Sequence, residues 1–196
     1  MTDNTEDRVR NARLEILSNA HYKLRRATYE YQRRDGRWQT CMRESYDLGD
    51  GAAVLPVDPR TGTVVLIRQF RWPPFEFGSR RLLIEAVAGK LDGDDPETCV
   101  RREATEEAGV ALGIVEKLFT VYTSPGAVAE RLHLFLGEYD SKESRGKGGG
   151  LEQEGEDIEV IELSLESAYK MIETGEIIDA KTIVLLQAAI LRPRRM

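Results

Sequence analysis

Residues Gly89 to Val110 read "GKLDGDDPETCVRREATEEAGV". Asp95 suits a helix N-cap, Pro96 the first helical position, and Gly109 the turn just past the end. On a helix advancing about 100° per residue, Cys99, Val100, Ala104 and Ala108 share one apolar side. Arg101, Arg102 and Thr105 fall roughly opposite. Glu103 and Glu107 lie on the apolar side, with Glu106 at its edge. Like charges at this spacing repel, and carboxylates turned toward a protein interior are costly unless something compensates them. Two readings remain open. Either a hard divalent cation belongs between Glu103 and Glu107, which at i and i+4 can converge on one site, or the acids form a surface or structural ion-pair cluster.

Working outward, the flanking segments read mostly as strands. "YKLRRATYEYQRRDGRWQTCMRESYDL" alternates like a hairpin turning at Asp35-Gly36. "GAAVLPV" and "TGTVVLIRQFR" form a second hairpin around "DPRTG", and "LLIEAVAG" leads into the acidic helix. "VEKLFTVYT" and "RLHLFLGEY" follow, joined by a loop with Ser124-Pro125-Gly126. "SKESRGKGGGLEQEGED" has the composition of a flexible acidic loop. "IEVIEL" reads as a strand, "SLESAYKMIETG" as a helix capped by Ser164, and "DAKTIVLLQAAILR" as a helix capped by Asp179. Residues Met1 to about Asn11 read as a polar, frayed end. The fold class is α+β.

Composition excludes several classes. The 196 residues suit one domain, or one domain with a small appendage, and 41% hydrophobic residues suffice for a core. A formal net charge of −6 argues against nucleic acid as partner. Two cysteines, Cys41 and Cys99, are too few for a disulfide framework and read as small side chains in a reducing compartment. A charged N-terminus without an apolar region, and no apolar run long enough to span a bilayer, point to a cytoplasmic protein without membrane partners. His21 and His133 are isolated and not spaced as metal ligands. Gly148-Gly149-Gly150 is not a phosphate-binding loop, since no Gly-Lys-Ser/Thr follows. It reads as a hinge.

The pattern Gly89-x5-Asp95-x6-Arg102-Glu103-Ala104-x-Glu106-Glu107-x-Gly109-Val110 resembles the signature of the Nudix hydrolases. It departs in one respect: the family usually carries Glu at the Asp95 position, followed by seven residues, so the turn here is one residue tighter. "SPGAVAERLHLFLGEY", "GGGLEQEGEDIEVIEL" and "MIETGEIIDAKTIVLL" extend the similarity from about Leu17 to Leu191. They resemble the dimeric branch acting on ADP-ribose and GDP-mannose, and the tighter turn with "LDGDDPE", "TSPG", the triple glycine and "TGEIIDAKT" resemble its GDP-mannose-cleaving members more closely. The resemblance implies an α/β/α Nudix sandwich with a mixed sheet over residues 49–196. It also implies a small N-terminal antiparallel sheet over residues 1–48 that mediates a homodimer. The implied reaction is Mg²⁺-dependent (or Mn²⁺-dependent) hydrolysis of a nucleotide sugar, GDP-mannose giving GMP and mannose 1-phosphate. ADP-ribose giving AMP and ribose 5-phosphate is the alternative substrate reading.

Site residues carry over by position. Glu103, Glu107 and the Ala88 carbonyl match metal-ligating positions, Glu156 matches a carboxylate that binds metal or activates water, and Glu106 is a further acidic member. The general base stays open among Glu156, Glu107 and Glu130. Tyr22, Arg43, Glu44, Arg71, Ala88, Gly89, Glu130 and Lys181 match substrate-contact positions, and arginine suits bidentate phosphate recognition. Glu44 either accepts hydrogen bonds from a guanine edge or pairs with Arg43 across strands. Without the resemblance, Lys181 reads as a surface lysine of a first helical turn. Two rival classes are a non-catalytic nucleotide-sugar sensor and a mononucleotide-housecleaning enzyme. The intact Glu103, Glu106 and Glu107 weigh against the first, and the N-terminal structure weighs against the second.

Overall fold

The computed structural model describes residues 5–143 and 145–192. It forms two compact units, Met1–Gly49 with Tyr122–Glu130, and Asp50–Val121 with Arg131–Met196.

In the first unit, β1 (Val9–Asn19), β2 (Lys23–Gln32), β3 (Trp38–Asp47) and the short β9 (Val128–Ala129) form one sheet in the order β1-β2-β3-β9. The expected hairpin holds: Gly36, with φ 83°, closes the turn by donating to the Arg33 carbonyl at 3.0 Å. The expected frayed end does not hold for its described part. Thr5–Arg8 make a 3₁₀ turn and Val9 begins a long strand, while residues 1–4 of that segment lie outside the described residues. The pairing of β1 with β2 shifts register twice, and Asn11 takes φ 54°. Such bulges break the two-residue alternation on which a sequence reading of strands depends.

The second unit is built on a mixed sheet. Its strands β4 (Gly51–Asp58), β5 (Thr63–Gln69), β10 (Arg131–Glu138), β8 (Val115–Tyr122) and β11 (Glu159–Ser164) run in the order β11-β5-β4-β10-β8. β6 (Leu83–Glu85) and β7 (Val87–Lys90) pair with β5 and β4. β10 runs parallel to β4, whereas β5, β6, β7 and β11 pair antiparallel. β4 and β5 are buried on both faces, which explains their near-continuous apolar sequence. Ala53, Leu55, Val64 and Leu66 face helices α3 (Leu165–Glu173) and α4 (Ala180–Ile190), whose Ala168, Leu185 and Leu186 complete one core. Ala52, Val54, Val65 and Ile67 face α2 (Pro96–Glu106), whose Cys99, Val100 and Ala104 complete the other. The unit is therefore the expected three-layer α/β/α sandwich. Truncating a fully buried Leu such as Leu55 or Leu185 to Ala would cost about 2–5 kcal/mol.

A short helix α1 (Trp72–Glu76), not foreseen in "RWPPFEF", follows Arg71. Among the described residues no helix is long and apolar enough to cross a membrane.

Candidate active site

Helix α2 starts as its sequence dictates. The Asp95 carboxylate accepts from the N–H groups of Glu97 and Thr98 at 3.0 and 3.1 Å, with Pro96 at the first helical position. Asp92 and Gly93 take positive φ values of 46° and 102°, so the chain reverses tightly between β7 and α2. The Cys99 thiol donates to the Lys90 carbonyl at 3.3 Å, tying the helix back to β7. That thiol, raised to about 11 by burial, is a structural side chain.

The helix turns Glu103 and Glu107 inward, at 9% and 1% exposure. Glu107 Oε2 accepts the Ala88 N–H at 3.1 Å. Glu103 lies against Gly89 so closely that a Cβ at position 89 would collide with its carboxylate. Burial pushes the Glu107 carboxyl up to about 8, and the charges of Glu103 and Glu156 reinforce burial against the opposing Ala88 hydrogen bond. Glu103 is raised to about 6, again chiefly by burial. Arg102, expected opposite the acids, reaches Glu103 Oε1 at 2.8 Å and Glu106 Oε2 at 3.0 Å through one nitrogen. One guanidinium thus offsets part of the charge, while Glu107 has no such cation at hydrogen-bonding distance among the described residues.

Glu156 follows a turn that is packed rather than hinged. Gly149 and Gly150 donate their N–H groups to the carbonyls of Glu107 and Glu106 at 2.8 and 3.1 Å, and Gly146 donates to Gly109 at 2.8 Å. The glycines satisfy carbonyls that a helix C-terminus leaves unpaired. In the structure the run that the sequence reads as a hinge caps the C-terminus of α2. Glu156 Oε2 accepts from Leu151 N–H at 2.9 Å. Its charge is felt at both Glu103 and Glu107, yet no group of three or more His, Cys, Asp and Glu side chains stands gathered for a metal among the described residues. What does fit a divalent cation is the donor chemistry: two buried carboxylates, disfavoured as anions, beside the peptide of Ala88 and a glycine without a side chain.

Arg71 and Lys181 meet on one carboxylate that the sequence reading missed. Glu85, 2% exposed at the end of β6, accepts from Arg71 Nε at 2.8 Å and Nη2 at 3.2 Å, and from Lys181 Nζ at 2.5 Å. Burial opposes its ionisation, but the Lys181 charge and the Arg71 hydrogen bonds hold its carboxyl below the ordinary value. Lys181 is no surface lysine: its side chain is mostly buried between Glu85 and Asp179, the latter at 3.1 Å. The signal in the sequence was a lone acid inside the apolar run "LLIEAVAG".

Comparison with known proteins settles the family. The NUDIX domain matches residues 47–186, and "GDP-mannose pyrophosphatase NudK N-terminal domain" matches residues 8–46. The chain belongs to the Nudix family. A protein named GDP-mannose pyrophosphatase from Pectobacterium atrosepticum is 48% identical over 178 residues, covering 90% of this chain and 91% of the relative. One of the same name from Escherichia coli (strain K12) is 48% identical over 172 residues, covering 87% and 89%. A solved structure described as "Crystal structure of ADP compounds hydrolase" superposes with a TM-score of 0.66 over 89% of this chain and 88% of that one. At 13% identity it shows the fold alone.

The chain is accordingly a Nudix hydrolase, and α2 is its Nudix helix. The remaining expected contacts lie in the first unit. Arg43 and Glu44 line a cavity of about 500 Å³ together with Tyr29, Tyr122 and the 125–129 turn. Adjacent strand residues point to opposite faces, so Glu44 pairs not with Arg43 but with Arg26, directly across from it on β2, at 2.8 Å. Arg43 donates to the Met42 carbonyl at 2.7 Å. Tyr22 packs edge-on against Tyr46 at 5.9 Å between ring centres, and Glu130 accepts from the Thr123 hydroxyl at 2.8 Å.

Proposed function

We propose that this Nudix hydrolase cleaves the pyrophosphate bond of GDP-mannose, releasing GMP and mannose 1-phosphate. The observation that carries the reading is the burial of Glu103 and Glu107 as destabilised anions against Ala88 and Gly89. It is joined by the match of residues 8–46 to an N-terminal domain described by that activity, and by 48% identity to proteins of that name. Glu103, Glu107 and the Ala88 carbonyl would hold Mg²⁺, with Mn²⁺ as substitute, and Glu106 and Glu156 support the site. Divalent ions bound there supply charge for the pyrophosphate oxygens and a bound water of lowered pKa.

The protein's own part is positioning and electrostatics, since phosphoryl transfer leaves little covalent work to side chains. Arg71, whose Nε and Nη2 hold Glu85, keeps Nη1 for a phosphate oxygen, and Lys181 shares Glu85 with it. Tyr22, Arg43, Glu44 and Glu130 contact the nucleotide and sugar. The working form is a homodimer through the N-terminal sheet, whose β1 exposes Leu14 and Ile16.

The deciding experiment incubates the purified protein with Mg²⁺ and a panel of GDP-sugars, UDP-sugars and ADP-ribose, and identifies products by chromatography. GMP with mannose 1-phosphate is the expected result. AMP with ribose 5-phosphate as the faster reaction would move the assignment to ADP-ribose, and GDP with free mannose would place the attacked bond elsewhere.

A further inference from the structure

Arg71 leaves β5 through a loop and caps the N-terminus of α1 without a side-chain cap bond. An arginine in such a place ordinarily samples many rotamers, and fixing it costs side-chain entropy. Here its Nε and Nη2 are both engaged by Glu85. The two bonds hold the guanidinium plane side-on and leave Nη1 outside the Glu85 contact. The group remains 43% exposed, and its charge is felt at Glu107. An arginine held this way is aimed, partly open, and electrostatically coupled to the acid pair.

Glu85 is itself immobilised. Lys181 locks its second oxygen at 2.5 Å and reaches Asp179 at 3.1 Å. Asp179 caps α4, accepting from the Thr182 N–H at 3.0 Å and its hydroxyl at 2.6 Å. Thr182 in turn accepts the Ala86 N–H at 2.7 Å, next to Glu85 in the chain. The circuit runs from β6 through the first turn of α4 and back to β6. Two cations and two carboxylates balance within it, so Glu85 is not an uncompensated buried charge of the costly kind.

We propose that Glu85 is a positioning residue that aims Arg71 at the substrate diphosphate, with Lys181 and Asp179 fixing Glu85 in turn. The inference rests on the reading of the chain as a nucleotide-sugar pyrophosphatase and deepens it. A guanidinium released from Glu85 still attracts a diphosphate, so ground-state binding changes little. Its alignment in the transition state is what is lost, and small misplacements there are expensive.

The test is a double-mutant cycle with R71A, E85Q and R71A/E85Q, assayed on the nucleotide sugar the wild type cleaves fastest. E85Q should lower kcat about 10- to 100-fold with KM changed less than about threefold. The double variant should be no slower than R71A. Losses that multiply in the double variant, or an E85Q defect carried by KM, would overturn the proposal. E85D keeps the charge on a shorter arm and should recover part of kcat. If E85Q does not fold, the same cycle is run with E85D, where a kcat equal to wild type would count against positioning. A wild type inactive on every nucleotide sugar sinks the functional reading and this inference together. An active wild type with an additive cycle sinks the inference alone.

Discussion

The N–H of Gly149 donates to the carbonyl of Glu107 at 2.8 Å, so the turn leading to Glu156 closes the end of the helix that carries the acid pair. Gly148, beside it, takes φ 58°, and a Cβ there would lie 2.9 Å from the Glu107 carbonyl oxygen. Replacement by Ala combines left-handed strain with a backbone collision. G148A is expected to lose about 1–3 kcal/mol of stability by urea denaturation and to lower turnover by disturbing Glu107 and Glu156 together. Wild-type kcat in G148A would uncouple the turn from the site.

Glu107 should make the metal-free protein lose stability as pH rises from the acid range to about 8. Folding raises its carboxyl from 4.5 to about 8. Its contribution is therefore fully present below pH 4.5 and is lost as pH rises through the folded value. In EDTA, wild-type stability should fall by a few kcal/mol, as an order of magnitude, between these limits. E107Q should flatten that slope, raise the melting temperature at pH 8 in EDTA, and abolish turnover. Mg²⁺ should stabilise the wild type and not E107Q. Equal slopes in both proteins would remove Glu107 as the cause.

Asp58 should impose the opposite dependence. It is fully buried, and although burial opposes its charge, the Ser141 hydroxyl and N–H at 2.6 and 3.0 Å and the Arg60 N–H at 2.8 Å hold its carboxyl well below the ordinary value. Its contribution is present above the unfolded value of 3.8 and disappears as pH falls. D58A is expected to cost about 2–3 kcal/mol by leaving Ser141 and Arg60 donors unpaired. It should also flatten the stability profile below pH 4, measured by circular dichroism. A D58A profile parallel to wild type in that range would refute the assignment.

The exposed apolar side chains of β1 bear on assembly. Leu14 and Ile16 are 71% and 59% exposed and, two residues apart on β1, share one face of the strand. L14E/I16E should convert the proposed dimer to monomer by light scattering, with the melting temperature becoming independent of protein concentration. A wild type that is monomeric at every concentration would remove the dimer.

Much of this was legible because local and global signals agree. Asp95, Pro96 and Gly109 mark the ends of the Nudix helix, and the apolar runs of β4 and β5 are long because each strand feeds two cores. The failures have physical causes. β1 escaped because its bulges at Arg10/Arg13 and Ile16/Ser18 scramble alternation. The glycine run was read from composition, and composition does not reveal that its N–H groups meet helix carbonyls. Glu85 and Lys181 are 96 residues apart, so no window on the sequence contains both.

Position 89 carries a last implication. The space that a methyl group would occupy there is held by the tip of Glu103, a flexible side chain that can swing aside while the backbone stays put. Adding one carbon by G89A would thus disarm the enzyme sterically, with every ionisable group retained. The variant is therefore expected to serve as an inactive control in which the acidic residues are all intact.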